Sequence, residues 1–391
     1  MVVSLSMVER AEHVESLEGL LSRHRVVALL GARQTGKTTL ARILAARRGD
    51  PSTIFDLEDP RTVARLAEPM MALEGLTGLV VLDEIQHQPD LFPVLRVLAD
   101  RKRRATRFLV LGSASPDLLI KSSETLAGRI AHYELPGFTL GEVGVSRLGK
   151  LWLRGGFPRS FLARTEVESL EWRDNFVRTF LERDIPVLGL RIAGATLRRF
   201  WSMLAHAHGQ IWNSSEFARA FGAADTTVRR YLDLLTSAFV VRQLLPWFEN
   251  LGKRQVKSPR IYLADSGLLH NLLGIRSSED LEVHPKVGAS WEGFGLQQVV
   301  ARLKAEPAEC FFWRTHSGAE LDLLVIRGRR RIGFEFKRTD SPSVTPSMRS
   351  ALADLHLDRL DVIHAGRETF PLGQRIRAVA LRRLLEDVKP L

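Results

Sequence analysis

Residues Gly31–Thr38 read GARQTGKT and fill the pattern G-x-x-x-x-G-K-[ST] at every fixed position, directly after the apolar run RVVALL at Arg25–Leu30. Few short strings constrain a fold as tightly, because this one works only where a strand runs into a glycine loop and then into a helix N-terminus. The glycines let backbone N–H groups turn inward around a polyphosphate, Lys37 reaches the β- and γ-phosphates, and the Thr38 hydroxyl ligates Mg²⁺. The next stretch, TTLARILAARR, has helical spacing. The pattern therefore predicts a nucleotide site lined by Gly31, Ala32, Arg33, Gln34, Thr35, Gly36, Lys37, Thr38 and Thr39.

Binding alone is not hydrolysis, and LVVLDE at Leu79–Glu84 offers the missing element, an apolar strand ending in two acids. Asp83 is placed to hold Mg²⁺ through water, and Glu84 to polarise the attacking water near the γ-phosphate. An ordinary strand with an acidic turn is the alternative. RFLVLGSAS at Arg107–Ser115 is a further apolar strand, whose end brings the Ser113 hydroxyl into position to sense the γ-phosphate. Arg129 in ETLAGRI is a candidate to reach a phosphate, in cis or across the boundary of a homo-oligomer. In a chain this basic, a solvated helix arginine is its plainer reading.

Taken in order, GARQTGKTTL, FDLED at Phe55–Asp59, LDEIQ, LGSAS and LAGR resemble a large bacterial and archaeal family of AAA-type ATP-binding proteins. The similarity continues through LRGGFPRS at Leu153–Ser160 and FLERDIP at Phe180–Pro186, so it covers nearly the whole chain. It implies an α/β P-loop ATPase domain using ATP and Mg²⁺, followed by helical, DNA-binding-like and nuclease-like parts. It supplies no substrate. The expected division is an ATPase domain at 1–150, a helical and winged-helix-like middle at 151–285, and a C-terminal α/β domain at 286–391.

A chain of 391 residues, 45% of them hydrophobic, has material for two or three buried cores. No apolar segment approaches the roughly twenty residues needed to cross a bilayer. The N-terminal MVVSLSMVERAEH carries acids where a signal peptide would have a basic start, so the expectation is a soluble cytoplasmic chain with no membrane partner. The single cysteine, Cys310, excludes an intramolecular disulfide and reads as a small core residue beside Phe311 and Phe312. His206 and His208 lie two apart with no third partner nearby, so loop or core histidines are favoured over a zinc site.

The net charge of +11 favours a polyanionic partner, and its distribution is informative. Thr196–Arg260 holds ten Lys/Arg against four Asp/Glu, Lys286–Leu391 holds eighteen against thirteen, and the remainder balances at zero. The basic excess thus lies away from the ATPase part. The run RKRRATR at Arg101–Arg107 is read separately, as a solvated turn.

Within the middle segment, NSSEFARAFGAADTTVRRYLDLL reads as a capped helix from Ser214, a glycine turn at Phe221–Ala223 and a second helix starting near Asp225. That is helix-turn-helix grammar, and Arg229 and Arg230 project from the second helix where DNA phosphates or base edges would lie. SAFVVRQLLPW and KSPRIYLAD form a candidate wing hairpin with Lys253 and Arg254 in its turn. A lid on the ATPase is the other reading of this unit.

The C-terminal string GAELDLLVIRGRRRIGFEFKRTD at Gly318–Asp340 follows the helix-like ASWEGFGLQQVVARLKA at Ala289–Ala305. Period-two alternation puts Glu335 and Lys337 on one strand face with Phe334 and Phe336 opposite, and Asp322 on one face of the strand before. By residues and element order this part resembles the restriction-endonuclease-like PD-(D/E)XK superfamily. The resemblance implies a Mg²⁺ site at Asp322 and Glu335, completed by Glu292, with Lys337 orienting a water or stabilising phosphate charge. Alternating charges on a half-exposed strand are the ordinary reading of the same E-x-K. Two functional expectations stand side by side. One is a DNA-processing enzyme in which nucleotide state repositions a winged-helix unit and a metal-dependent nuclease. The other is an ATP-switched binding or signalling module that recognises nucleic acid or protein without cutting.

Overall fold

The computed structural model describes residues 8–101, 106–112, 125–187, 192–248 and 257–391. The chain divides into two compact units, one comprising Met1–Gly137 with Ser237–Phe239, the other Phe138–Thr236 with Val240–Leu391.

The first unit is built on a parallel sheet of β1 (Val26–Leu30), β2 (Ser52–Asp56), β3 (Leu79–Asp83), β4 (Arg107–Gly112) and β5 (Ile130–Glu134), in the order β2-β3-β4-β1-β5. All five residues of β1 and of β3 are buried, as continuous apolar strands covered on both faces must be. Alternation divides their side chains between two cores. Val27, Leu29, Val81 and Leu109 pack with Leu17 and Leu21 of the helix Ala11–Arg23 and with Leu40 and Leu44 of the helix Lys37–Arg48. On the other face, Val26, Ala28, Val80, Leu82 and Val110 meet Leu91, Phe92 and Leu95 of the helix Leu91–Ala99. The P-loop leaves the C-terminal end of β1, in the crevice region where open α/β sheets bind ligands.

The second unit begins with helices, among them Leu148–Arg154, Glu166–Thr179 and Gly194–His206, with a π-helical turn at Phe180–Asp184. The helices Ser214–Phe221 and Asp225–Ser237 follow, the first capped by Asn213, whose side chain accepts from the Glu216 N–H. Gly222 closes that helix at φ +72°, a left-handed turn that favours glycine. Ser214 and Ser215 both donate to Asp225 Oδ2, at 3.2 and 2.8 Å, tying the two helices together.

A nine-stranded sheet then runs through the rest of the unit. Its strands are β6 (Gln210–Ile211), β7 (Val241–Pro246), β8 (Arg260–Leu263), β9 (Cys310–Arg314), β10 (Glu320–Arg327), β11 (Arg330–Lys337), β12 (Arg359–His364), β13 (Phe370–Gly373) and β14 (Ile376–Ala380). The order is β13-β14-β12-β11-β10-β9-β7-β8-β6. β7 pairs with β9 through Leu245↔Phe311 and Pro246↔Phe312, so the sheet crosses the division expected at residue 285. The middle and C-terminal segments differ in sequence character, yet backbone pairing makes them one unit. The helix Val287–Leu303 buries Trp291, Phe294, Leu296 and Val299 and packs on β11. Cys310 is buried, in line with its reading as a core residue. Among the described residues, no helix is long and apolar enough to cross a membrane.

Candidate functional site

The loop between β1 and the helix Lys37–Arg48 is shaped by backbone that few residues adopt. Gly31 has φ +152°, and a Cβ there would lie 2.4 Å from the Leu135 carbonyl oxygen. Gly36 has φ +93° and leads directly into the helix. Gln34 also takes a positive φ and is exposed at the loop's tip. Thr35 is buried and donates to the Ala32 carbonyl at 2.9 Å, while Thr39 is exposed on the first helical turn.

Lys37 is buried, and its Nζ donates to the Gly31 and Ala32 carbonyls, each at 2.9 Å. Burial lowers its pKa to about 8, against the raising influence of Glu84 and Asp83. Across the crevice, Thr38 Oγ1 donates to Asp83 Oδ2 at 2.6 Å. Burial raises the Asp83 pKa, partly countered by that hydrogen bond. A hydroxyl beside a buried carboxylate is the hard-oxygen donor set that suits Mg²⁺. Glu84 has φ +55°, a strained backbone for a non-glycine residue, and its carboxylate accepts from the Gln86 side-chain amide.

Arg10 and His87 join this site with no sequence signal. Arg10, only 5% exposed, donates to the Thr35 carbonyl at 3.1 Å and to the Pro136 carbonyl at 3.0 Å, bracing the loop from behind. Arg33 pairs with Glu58 of the FDLED segment at 2.9 Å, and His87 Nε2 lies 3.5 Å from the same carboxylate.

Arg129 is placed otherwise than an in-cis finger requires. It precedes β5, whose Ile130 pairs with Val26 at the start of β1, whereas the P-loop leaves the opposite end of that strand. Five strand residues separate the two ends by roughly 16 Å, and the guanidinium is paired with Asp100 at 2.7 Å. A contact in trans and the plainer reading of a solvated arginine both remain for it. Ser113, Lys253 and Arg254 lie outside the described residues.

Arg229 and Arg230 are both exposed on the helix Asp225–Ser237. His208 is buried, accepts the Leu263 N–H at Nδ1, and has its pKa lowered to about 3 by burial.

In the second unit, β10 and β11 pair antiparallel through Leu323↔Phe334, which brings Asp322 and Glu335 close together. An irregularity between Leu321 and Leu324, the stretch that holds Asp322, interrupts the pairing of β10 with β9. Asp322 Oδ2 accepts the Phe336 N–H at 3.1 Å, and Lys337 Nζ lies 2.9 Å from Glu335 Oε2. Glu292 comes from the helix Val287–Leu303, as expected, but its partner is the Tyr262 hydroxyl at 2.6 Å. Arg260 of β8 enters the same cluster, with Nη1 3.0 Å from Asp322 Oδ1 and Nη2 2.8 Å from Glu320 Oε2. Burial first, and the Asp322 charge second, hold Glu292 and Glu335 well above the usual carboxylate range.

This arrangement departs from the expected Mg²⁺ set of Glu292, Asp322 and Glu335. Among the described residues, no three His, Cys, Asp or Glu side chains converge closely enough to hold a metal ion. The carboxylates are instead organised around two cations, the buried Arg260 and the half-exposed Lys337. Arg260 stands 62 positions from Asp322, and no motif marks it.

Fold and P-loop geometry together define an AAA-type P-loop NTPase. Residues 23–144 match the family described as AAA domain, residues 145–279 the domain of unknown function DUF8612, and residues 287–384 the domain of unknown function DUF4143. The uncharacterized proteins Mb2031c of Mycobacterium bovis and Rv2008c of Mycobacterium tuberculosis are each 53% identical to this chain over 383 residues, covering 98% of it and 86% of their own length. The chain belongs to the same family of AAA-type proteins as these two. Among solved structures, the Walker-type ATPase PABY2304 of Pyrococcus abyssi is similar at 16% identity and a TM-score of 0.51, over 69% of this chain and 97% of that one. That likeness is one of fold.

Proposed function

We propose that this protein binds and hydrolyses ATP with Mg²⁺, and that nucleotide state governs how its second unit engages DNA. The observation that carries the first part is the 2.6 Å contact between Thr38 and Asp83 beside the buried Lys37. In this reading Lys37 binds the β- and γ-phosphates, replacing its bonds to the Gly31 and Ala32 carbonyls. Thr38 and Asp83 are the residues that would hold Mg²⁺, which when bound neutralises charge on the phosphates. Glu84 accepts a proton from the attacking water. The test is direct. Lys37→Ala should lose ATP binding and turnover together, whereas Glu84→Gln should retain ATP and turn it over at least about tenfold more slowly. Equal turnover by Glu84→Gln and wild type removes Glu84 from this role.

For the C-terminal part, a restriction-endonuclease-like domain that binds without cutting is favoured over an active nuclease. The supporting observation is that Arg260 lies against Asp322 where the cleaving reading needs a metal. Plasmid and single-stranded DNA should therefore stay intact with Mg²⁺ or Mn²⁺, with and without ATP. Nicking by wild type that Asp322→Asn abolishes would restore the nuclease reading.

A further inference from the structure

We propose that Arg260 is the built-in cation of the carboxylate centre in the second unit, and that it closes this centre to divalent metal. The inference deepens the non-cleaving reading above by naming what prevents metal entry.

Alternation along β8 sends Arg260 and Tyr262 to one face, and both reach Glu292. The Arg260 guanidinium contacts three of them, Asp322 at 3.0 Å, Glu320 at 2.8 Å and Glu292 at 3.5 Å. Its side chain is only 6% exposed, and its guanidinium carbon lies 5.2 Å from the centre of the Phe312 ring. The group is thus sequestered and stacked, not a surface arginine that chances on an acid. Each oxygen of Asp322 already accepts an N–H, one from Arg260 and the other from the Phe336 backbone. A divalent ion needs those oxygens at about 2.1 Å for Mg²⁺, and it would meet the guanidinium's positive charge at the same place.

A second observation shows that the centre has coordinating capacity left over. Glu335 is 3% exposed, and its Oε1 has no hydrogen-bond partner. Oxygen donors are therefore present on β10, β11 and the helix Val287–Leu303, although with Arg260 paired to Asp322 and Glu320 no three of them converge on one point. What the centre lacks is room for a second cation while the guanidinium is there. Taking the guanidinium away should convert the cluster into a divalent-cation site.

The test is a titration of the full chain with Mn²⁺, without nucleotide, following free Mn²⁺ by electron paramagnetic resonance. Wild type and Asp322→Asn should bind Mn²⁺ identically, because Asp322 is unavailable to metal. Arg260→Ala should bind one equivalent more than Arg260→Ala with Asp322→Asn. Arg260→Gln, which retains a donor for Asp322, serves if the alanine variant loses its circular dichroism. Mn²⁺ bound by wild type and lost in Asp322→Asn overturns the proposal without any folded Arg260 variant, as does a folded Arg260→Ala or Arg260→Gln that gains nothing. Failure here is distinguishable from failure of the non-cleaving reading, since wild type that binds Mn²⁺ at this centre and leaves DNA intact sinks only the Arg260 assignment.

Discussion

Lys37 shows how burial sets the behaviour of one side chain. With no phosphate beside it, desolvation brings its pKa down to about 8. Only the protonated form attracts the nucleotide, and bound phosphates favour it further. The sign follows from linkage, because above about pH 8 the free chain has lost a proton that the complex must recover. ATP affinity should be flat from about pH 6.5 to 7.5, then fall toward about tenfold per pH unit above 8. A dissociation constant unchanged to pH 9.5, measured with a fluorescent ATP analogue, contradicts this. Arg10 offers a second residue-scale expectation. Arg10→Met removes the donors to the Thr35 and Pro136 carbonyls and should lower stability by about 1.5–3 kcal/mol, read as a lower urea midpoint. Lys37 and Thr38 were legible in the sequence because their chemistry demands fixed spacing, and Asp83 because it ends an apolar strand in an acid. Arg10 and Arg260 were not, since an arginine that meets its partners only through the tertiary fold leaves no local pattern.

At the level of elements, close approach decides what can be changed. The helix Ser266–Leu272 lies so near the C-terminal end of the helix Leu148–Arg154 that a Cβ on Gly267 would sit 2.1 Å from the Arg154 carbonyl oxygen. Backbone cannot yield as a side-chain tip can. Gly267→Ala should cost about 3 kcal/mol, the upper part of the overpacking range. Gly149, on the helix Leu148–Arg154, has nothing within 4 Å of its would-be Cβ. Gly149→Ala should be neutral or stabilising by up to about 1 kcal/mol. Thermal midpoints moving in the same direction for both variants would refute the contrast. Asp265, which caps the helix Ser266–Leu272 by accepting the Leu268 N–H, also accepts the Gly156 N–H, and that approach to a segment over a hundred positions earlier could not be read from the sequence. Arg129 makes the same point. Its sequence neighbours suggest a phosphate contact, and only strand register reveals that it stands at the far end of the sheet from the P-loop of its own chain.

For the whole molecule, charge and connectivity are the relevant quantities. The basic excess belongs to Thr196–Arg260 and Lys286–Leu391, both within the second unit apart from Ser237–Phe239. If that surface tracks phosphates, DNA affinity should fall with salt, each contact adding about 0.9 to the slope of log affinity against log salt. Arg229→Ala with Arg230→Ala should then flatten the slope by roughly one to two, in filter binding or fluorescence anisotropy. An unchanged slope and affinity would favour a lid over a DNA contact. The parallel-sheet core of the first unit was legible from its apolar runs. The union of the middle and C-terminal segments was not, because pairing between β7 and β9 is a matter of backbone hydrogen bonds and carries little side-chain signature. That pairing has a practical side. Residues 286–391 expressed alone would be a sheet torn along a seam, with the edge of β9 left raw and Phe311 stripped of its neighbour Trp247. Such a fragment should find itself, edge against edge, and come out of solution as aggregates where the intact second unit stays dispersed.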